Sequence, residues 1–318
     1  MTVDPIDHAI EQAVASGSDD SELAYAKINL ALHVTGQRAD GYHLIETIVV
    51  FADYADVVSA GASDDGRMRL NVRGPFAEPL GQSAPQGDNL AHRAAGELAQ
   101  ARGKVKAPAT KLTLTKRIPI AAGLGGGSAD AAAVLRLLNR YWGLGLDPAT
   151  LAGIALKLGA DVPMCLAATP LIARGIGEEI TAVVGLPALP IVLAHPGVPV
   201  PTAAVFAALA KKDGASLPPP PKRFGSLLDV IYWLRQARND LAEPAARVNP
   251  AAAAAAKALI SDPECLFARM SGSGAAAFGI FATMAAAERA SDRLRADKPQ
   301  WWITPAMTRP SPDAMVAS

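Results

Sequence analysis

The segment PIAAGLGGGSADAAA, residues 119–133, concentrates four glycines and a serine between an alternating stretch, KLTLTKRIPI, and a helical apolar one. Glycine is costly to order, so such a run implies that bare backbone is needed there. Three uses compete: cradling a phosphate, binding a dinucleotide, or simply turning the chain. The order strand, glycine loop, helix favours the first. A helix start leaves N–H groups unpaired and carries partial positive charge, so an anion docks there, and glycines let the loop close on its oxygens. Ser128 stands where it either caps that helix or offers its hydroxyl to phosphate or Mg2+.

Spacing removes the better-known alternatives. A Walker A loop needs a lysine after its glycines, and none follows here. A dinucleotide fingerprint needs a third glycine where Ser128 stands, near the first strand of a parallel unit, and this run lies deep in the chain. The protein-kinase landmarks H-R-D and D-F-G are absent. No C-x-x-C pair or His/Cys cluster suggests zinc. The two cysteines, Cys165 and Cys265, read as buried reduced thiols of a cytoplasmic protein.

The elements that must position this loop are legible around it. AYAKINLALHVTG, from Ala24, alternates as a strand, GQRADGYH is a polar loop, and LIETIVVFADYADVVSA returns to strand character. GDNLAHRAAGELAQARG opens on an Asp/Asn cap and closes on Gly103, which predicts a helix. After the glycines, SADAAAVLRLLNRYWGL places Leu135, Leu138 and Trp142 on one helical face before Gly143 and Gly145 stop it. DPATLAGIALKLG predicts a further helix before the short loop GADVP. Residues 180–198 lack charge, but Pro187 and Pro190 break the run, so two buried strands around a turn are expected. Pro218–Pro221 reads as an exposed loop and Ala251–Ala256 as helix.

These elements predict an α+β protein: an extension at 1–21, then domains at 22–172 and 173–318. Half of the 318 residues are hydrophobic, enough for a substantial core. The 30 basic and 30 acidic residues cancel, which argues against non-specific nucleic-acid binding. The N-terminus is acidic, without a basic n-region, so no signal peptide is expected. A soluble, cytoplasmic protein without nucleic-acid or membrane partners follows, expected as a monomer or weak homodimer.

In context the glycine run carries more. P-I-A-A-G-L-G-G-G-S-A-D resembles the second motif of the galactokinase, homoserine kinase, mevalonate kinase and phosphomevalonate kinase (GHMP) superfamily. AYAKINLALHVTG and MSGSGAAAFGIF, at residues 270–281, stand where that superfamily's other motifs belong. A-K-I-N-L, G-Q-R-A-D-G-Y-H, G-A-D-V-P and A-H-P-G-V-P-V-P-T resemble one branch of it. That branch uses ATP to phosphorylate the 2-hydroxyl of a cytidine-diphosphate-linked methylerythritol, on the non-mevalonate route to isoprenoid precursors. The resemblance implies a two-domain GHMP kinase fold with the active site in the inter-domain cleft, using ATP and Mg2+. A homoserine or mevalonate type of GHMP kinase and a non-catalytic nucleotide-binding relative are the alternatives. A nicotinamide-dependent dehydrogenase is disfavoured by the failed fingerprint.

By resemblance, Asp161 in GADVP is the general base and Lys27 in AYAKINL its partner, which also stabilises charge on the transferring phosphoryl group. Alone, Lys27 would read as a snorkelling strand lysine and Asp161 as a helix cap. Pro119, Ile120, Ala121, Ala122, Gly123, Leu124, Gly125, Gly126, Gly127, Ser128 and Ala129 are the implied ATP-binding residues. Tyr42 and His43 match residues that recognise the cytosine end, Phe206 the ring that stacks on its other face, and Thr202 the same pocket. Asn29 either positions the substrate hydroxyl or is a structural amide. Asp130 is expected to complement the helix dipole. Lys116 either touches ATP or is an exposed strand-end lysine. Ser271–Gly274 should form a second tight loop buttressing the catalytic strand. Ser128 is a candidate metal ligand, and Asp130 could also point toward a metal.

Overall fold

The computed structural model describes residues 20–77, 89–103 and 107–314. The expected extension therefore lies outside the described residues, except for its last two. By contacts the chain forms two compact units. The first draws on Met1–Tyr25, Ala55–Ile118 and Gly126–Leu166, the second on Ala26–Tyr54, Pro119–Gly125 and Ala167–Ser318. The chain thus passes between units repeatedly. Strands β1 (Ser21–Gln37) and β2 (His43–Ala62) carry two of the crossings. Alternation marks a strand but does not record which core each half serves.

In the first unit, β3 (Arg69–Arg73) lies parallel to β4 (Thr110–Thr115), and β4 is antiparallel to the later half of β2, with Val57 opposite Thr115. The unit's helices are α1 (Leu90–Ala101), α2 (Gly126–Tyr141), α3 (Pro148–Leu158) and α4 (Val162–Ala167). Asn89 caps α1 by accepting from Ala91 N, and the helix buries Ala91, Ala94, Ala95 and Leu98, a single face at helical spacing. Helix α2 is buried over nearly all of Ala129–Leu138. Leu135, Leu137 and Leu138 are fully buried there, each contributing about 1.5–3 kcal/mol. Gly143 and Gly145, both at φ +61°, end it, and the Trp142 indole donates to Thr110 Oγ1 at 2.9 Å. Asp147 caps α3.

In the second unit, the earlier half of β2 pairs antiparallel with β5 (Leu171–Arg174), and β5 with β6 (Glu179–Ala182). A separate antiparallel sheet has the order β10–β7–β9–β8, formed by β7 (Pro190–His195), β8 (Cys265–Met270), β9 (Ala277–Phe281) and β10 (Trp302–Met307). Every residue of β7 and β9 is buried. Helices α5 (Thr202–Ala207), α6 (Leu227–Gln236), α7 (Ala242–Val248), α8 (Ala254–Ile260) and α9 (Met284–Asp297) complete the unit. One core joins Val192, Ala194, Phe281 and Ala287 to α8, and another gathers Leu32, Val34, Val205 and Met270.

Two expectations need correction. The run at 180–198 yields one buried strand, β7, whereas β6 before it is exposed at all four positions, because it lies on the sheet edge. Pro218–Pro221 does form an exposed loop, in which Pro219 O accepts from the Trp233 indole at 3.2 Å. Cys265 is only half-buried, although burial still pushes its thiol up to about 11, whereas Cys165 is buried. The alanine run forms a 3-10 turn at Pro250–Ala253 followed by α8. Among the described residues, no helix is long and apolar enough to cross a membrane.

Candidate active site

Lys27 and Asn29 are two residues apart on β1, so both side chains leave the same face of the strand. Both are buried, Lys27 at 4% exposure, so it does not snorkel. Lys27 Nζ donates to Asn29 Oδ1 at 3.2 Å, Asn29 Nδ2 donates to Thr47 Oγ1 at 2.8 Å, and that hydroxyl donates to Ala31 O at 2.6 Å. The Asn29 amide is thereby engaged at both ends, which fixes its orientation with the oxygen toward the ammonium.

The Ser271 hydroxyl joins this strand to the glycine loop. It accepts from Asn29 N at 3.1 Å and donates to Gly123 O at 3.0 Å, which is the buttress expected of the second loop. Lys27 N also donates to Leu124 O, and Ala276 N to Ala122 O, each at 2.9 Å. Two glycines of the run are needed for this packing. Gly123 has φ +79°, and a Cβ there would stand 2.5 Å from Ser271 O; Gly125 has φ +65°, and a Cβ there would lie 2.9 Å from Lys27 Cε. Gly127 differs, since a Cβ there would meet only Leu90 Cδ1, at 3.7 Å. Gly123→Ala is therefore expected to cost about 2–4 kcal/mol, read as a lower midpoint in chemical unfolding. Gly127→Ala should hold or raise that midpoint, because alanine favours helix, so any rise in the KM for ATP would report lost room for phosphate.

Sequence reasoning missed Asn239. Its Nδ2 donates to both Met270 O and Gly272 O at 2.9 Å, while its Oδ1 accepts from Leu241 N, so it shapes the 270–274 loop. Its neighbours anchor β1: Arg238 N donates to His33 Nε2 at 3.0 Å and Val34 N donates to Asp240 Oδ2 at 2.8 Å. The available signal was three consecutive polar residues, RND, between two apolar helical stretches.

Tyr42 is 59% exposed, whereas the His43 and Phe206 rings face each other with centroids 5.0 Å apart. His43 Nε2 is buried without a hydrogen-bond partner among the described residues. Burial, and then the Lys212 charge, hold the imidazole below its ordinary range, so it is neutral at neutral pH. Thr202 and Ser273 share a hydroxyl–hydroxyl hydrogen bond of 2.8 Å.

In the first unit, α2 begins at Gly126, so Ser128 is its third residue rather than its cap. Lys116 is neither exposed nor available to a ligand through its side chain. At 2% exposure its Nζ pairs with Asp56 and, at 2.7 Å, with Asp130 Oδ2. Asp130 lies beyond the first turn and serves this ion pair, not the dipole. Asp56 Oδ1 also accepts from Arg117 N and, at 2.8 Å, from Ile118 N, which shapes the chain entering the loop. Burial works against the Lys116 charge, but Asp130 and Asp56 outweigh it and hold the ammonium above its ordinary range. Burial raises the Asp130 carboxyl despite Lys116, with the Asp56 charge adding to the shift. The ammonium lies 3.3 Å from where a Cβ would stand on Gly126, with its charge met by Asp56 and Asp130. Asp161 opens α4, its carbonyl accepting from Cys165 N at 3.2 Å.

A glycine turn enters a buried helix, and a carboxylate residue stands at the head of a later one, in a fold that matches the GHMP kinases. The wider likeness agrees: residues 89–169 match the GHMP kinases N terminal domain and residues 221–300 the GHMP kinases C terminal domain. The crystal structure of a homoserine kinase from Cytophaga hutchinsonii shares the fold, with TM-score 0.67 and 17% identity over 93% of this chain and 96% of that one. Other relatives are nearer in sequence. The crystal structure of a 4-(cytidine 5'-diphospho)-2C-methyl-D-erythritol kinase gives TM-score 0.70 and 33% identity over 91% of this chain and 98% of its own. 4-Diphosphocytidyl-2-C-methyl-D-erythritol kinases from Mesorhizobium japonicum and Rhizobium etli are each 48% identical, over 88% and 92% of this chain and 92% and 96% of theirs. The chain belongs to the 4-diphosphocytidyl-2-C-methyl-D-erythritol kinase family.

Proposed function

We propose that the protein transfers the γ-phosphoryl group of ATP to the 2-hydroxyl of 4-diphosphocytidyl-2-C-methyl-D-erythritol, giving the 2-phosphate and ADP. What carries this reading is the 48% identity to kinases of that name in a chain that holds Lys27, Asp161 and the glycine turn into α2 together. Phosphoryl transfer demands positioning and charge neutralisation more than covalent chemistry. The N–H groups of the first turn of α2 hold phosphate oxygens at the positive end of that helix. Asp161 takes the proton of the attacking hydroxyl, and Lys27 offsets the negative charge developing on the transferring group. Tyr42, His43 and Phe206 receive the cytosine, and the neutral His43 offers a ring nitrogen to the base edge.

Mg2+ in such sites takes one or two protein oxygens besides phosphate oxygens and water. The half-buried Ser128 hydroxyl, in the first turn of α2, is a donor of the right type, whereas Asp130 Oδ2 is held by Lys116. When bound, the ion neutralises the β- and γ-phosphate oxygens. An ADP-release assay tests the assignment. Turnover is expected with the cytidyl substrate and none with homoserine or mevalonate, and the opposite result rejects this reading.

A further inference from the structure

Arg136 stands out within α2, as it and Asp130 are the only charged residues between Ala129 and Leu138. Asp130 is accounted for by Lys116. Arg136 spends its guanidinium on four separate acceptors. Its Nε donates to Glu22 Oε1 at 2.8 Å and its Nη2 to Leu23 O at 2.9 Å, both on the opening stretch of β1. Its Nη1 donates to Cys165 O at 2.9 Å and Leu166 O at 3.2 Å, in the closing turn of α4. Arg140, one turn along, adds Glu22 Oε2 at 2.9 Å and Ser21 O at 3.0 Å.

Helix α4 has six residues, too few to hold its place without tertiary support. The last carbonyls of any helix lack internal partners, and a cation there also complements the dipole. Arg136 supplies both to α4, whose first residue follows Asp161. The other end of α2 is the phosphate-binding turn, ten residues or about 15 Å away along a buried rod.

We propose that Arg136 is a positioning residue for phosphoryl transfer: its fork fixes α4, and with it Asp161, relative to the phosphate-binding end of α2. This rests on the reading of Asp161 as general base. A shift of about 1 Å in a reacting group costs on the order of a hundredfold in rate. Four acceptors in fixed directions suit a planar fork and not a single ammonium.

The test compares Arg136→Ala, Arg136→Lys and Asp161→Asn in the full-length enzyme, with kcat, both KM values and thermal melting measured for each. Arg136→Ala is expected to lose about 10–100-fold in kcat with both KM values nearly unchanged, and Arg136→Lys to fall between it and wild type. Sub-denaturing guanidinium should restore part of kcat to Arg136→Ala and none to Asp161→Asn. Wild-type kcat in Arg136→Ala, with only the melting temperature lowered, overturns the proposal by making the residue a structural tie alone. If the alanine variant does not fold, the lysine variant decides, and wild-type kcat there overturns the proposal equally. Full turnover in Asp161→Asn would instead remove the general-base reading, whatever Arg136 shows.

Discussion

Asp161→Asn is expected to lower kcat about a thousandfold while the KM for ATP moves by no more than a few-fold. Asparagine keeps the size of the side chain and caps helices as well as aspartate does, so α4 should start unchanged. What it loses is the ability to accept the hydroxyl proton, and a positioned general base contributes about 10²–10⁴ in rate. A fall in kcat and in kcat/KM by the same factor is the signature of an interaction used only in the transition state. Coupled ADP release, beside a thermal melt of both proteins, makes the measurement. Equal kcat values would leave Asp161 as a helix-starting residue and nothing more.

The second large effect is on stability. Lys116→Met should destabilise the protein by about 3–5 kcal/mol, because it leaves Asp56 and Asp130 buried with no cation between them. That is a large part of the 5–15 kcal/mol typical of a folded protein. Expected readouts are a much lower melting temperature and less soluble protein. Adding Asp130→Asn to this variant should recover part of the loss, since one uncompensated carboxylate is removed. Residues in one ion-pair network are non-additive in this way. A Lys116→Met protein that melts with wild type would show that the triad contributes no net stability.

The two predictions differ in how far the sequence anticipated them. The role of Asp161 is implied by the family resemblance of the motif GADVP, whose residues are neighbours in the chain. Lys116 was read as either exposed or nucleotide-facing, and Asp130 as serving the dipole, because neither reading could see Asp56. That partner is 60 residues from Lys116 and lies in a strand whose alternation describes only its own two faces. Similarly, nothing in KINL says that the Asn29 amide spans Lys27 and Thr47, leaving only its backbone N–H for a serine 242 residues away.

What the sequence determined by itself was local in origin. Helix starts at Asn89 and Asp147, stops at Gly143 and Gly145, the strand–glycine–helix order, and the succession of motifs naming the kinase class all depend on neighbours within a few residues. Tertiary structure alone decided which glycines are needed for packing, which ion pair adjoins the helix start, and which arginine ties α4 to α2. These depend on hydrogen bonds and charge pairs between segments far apart in the chain. Such pairings leave no periodic trace, since each needs only two suitable atoms brought within about 3 Å by the fold.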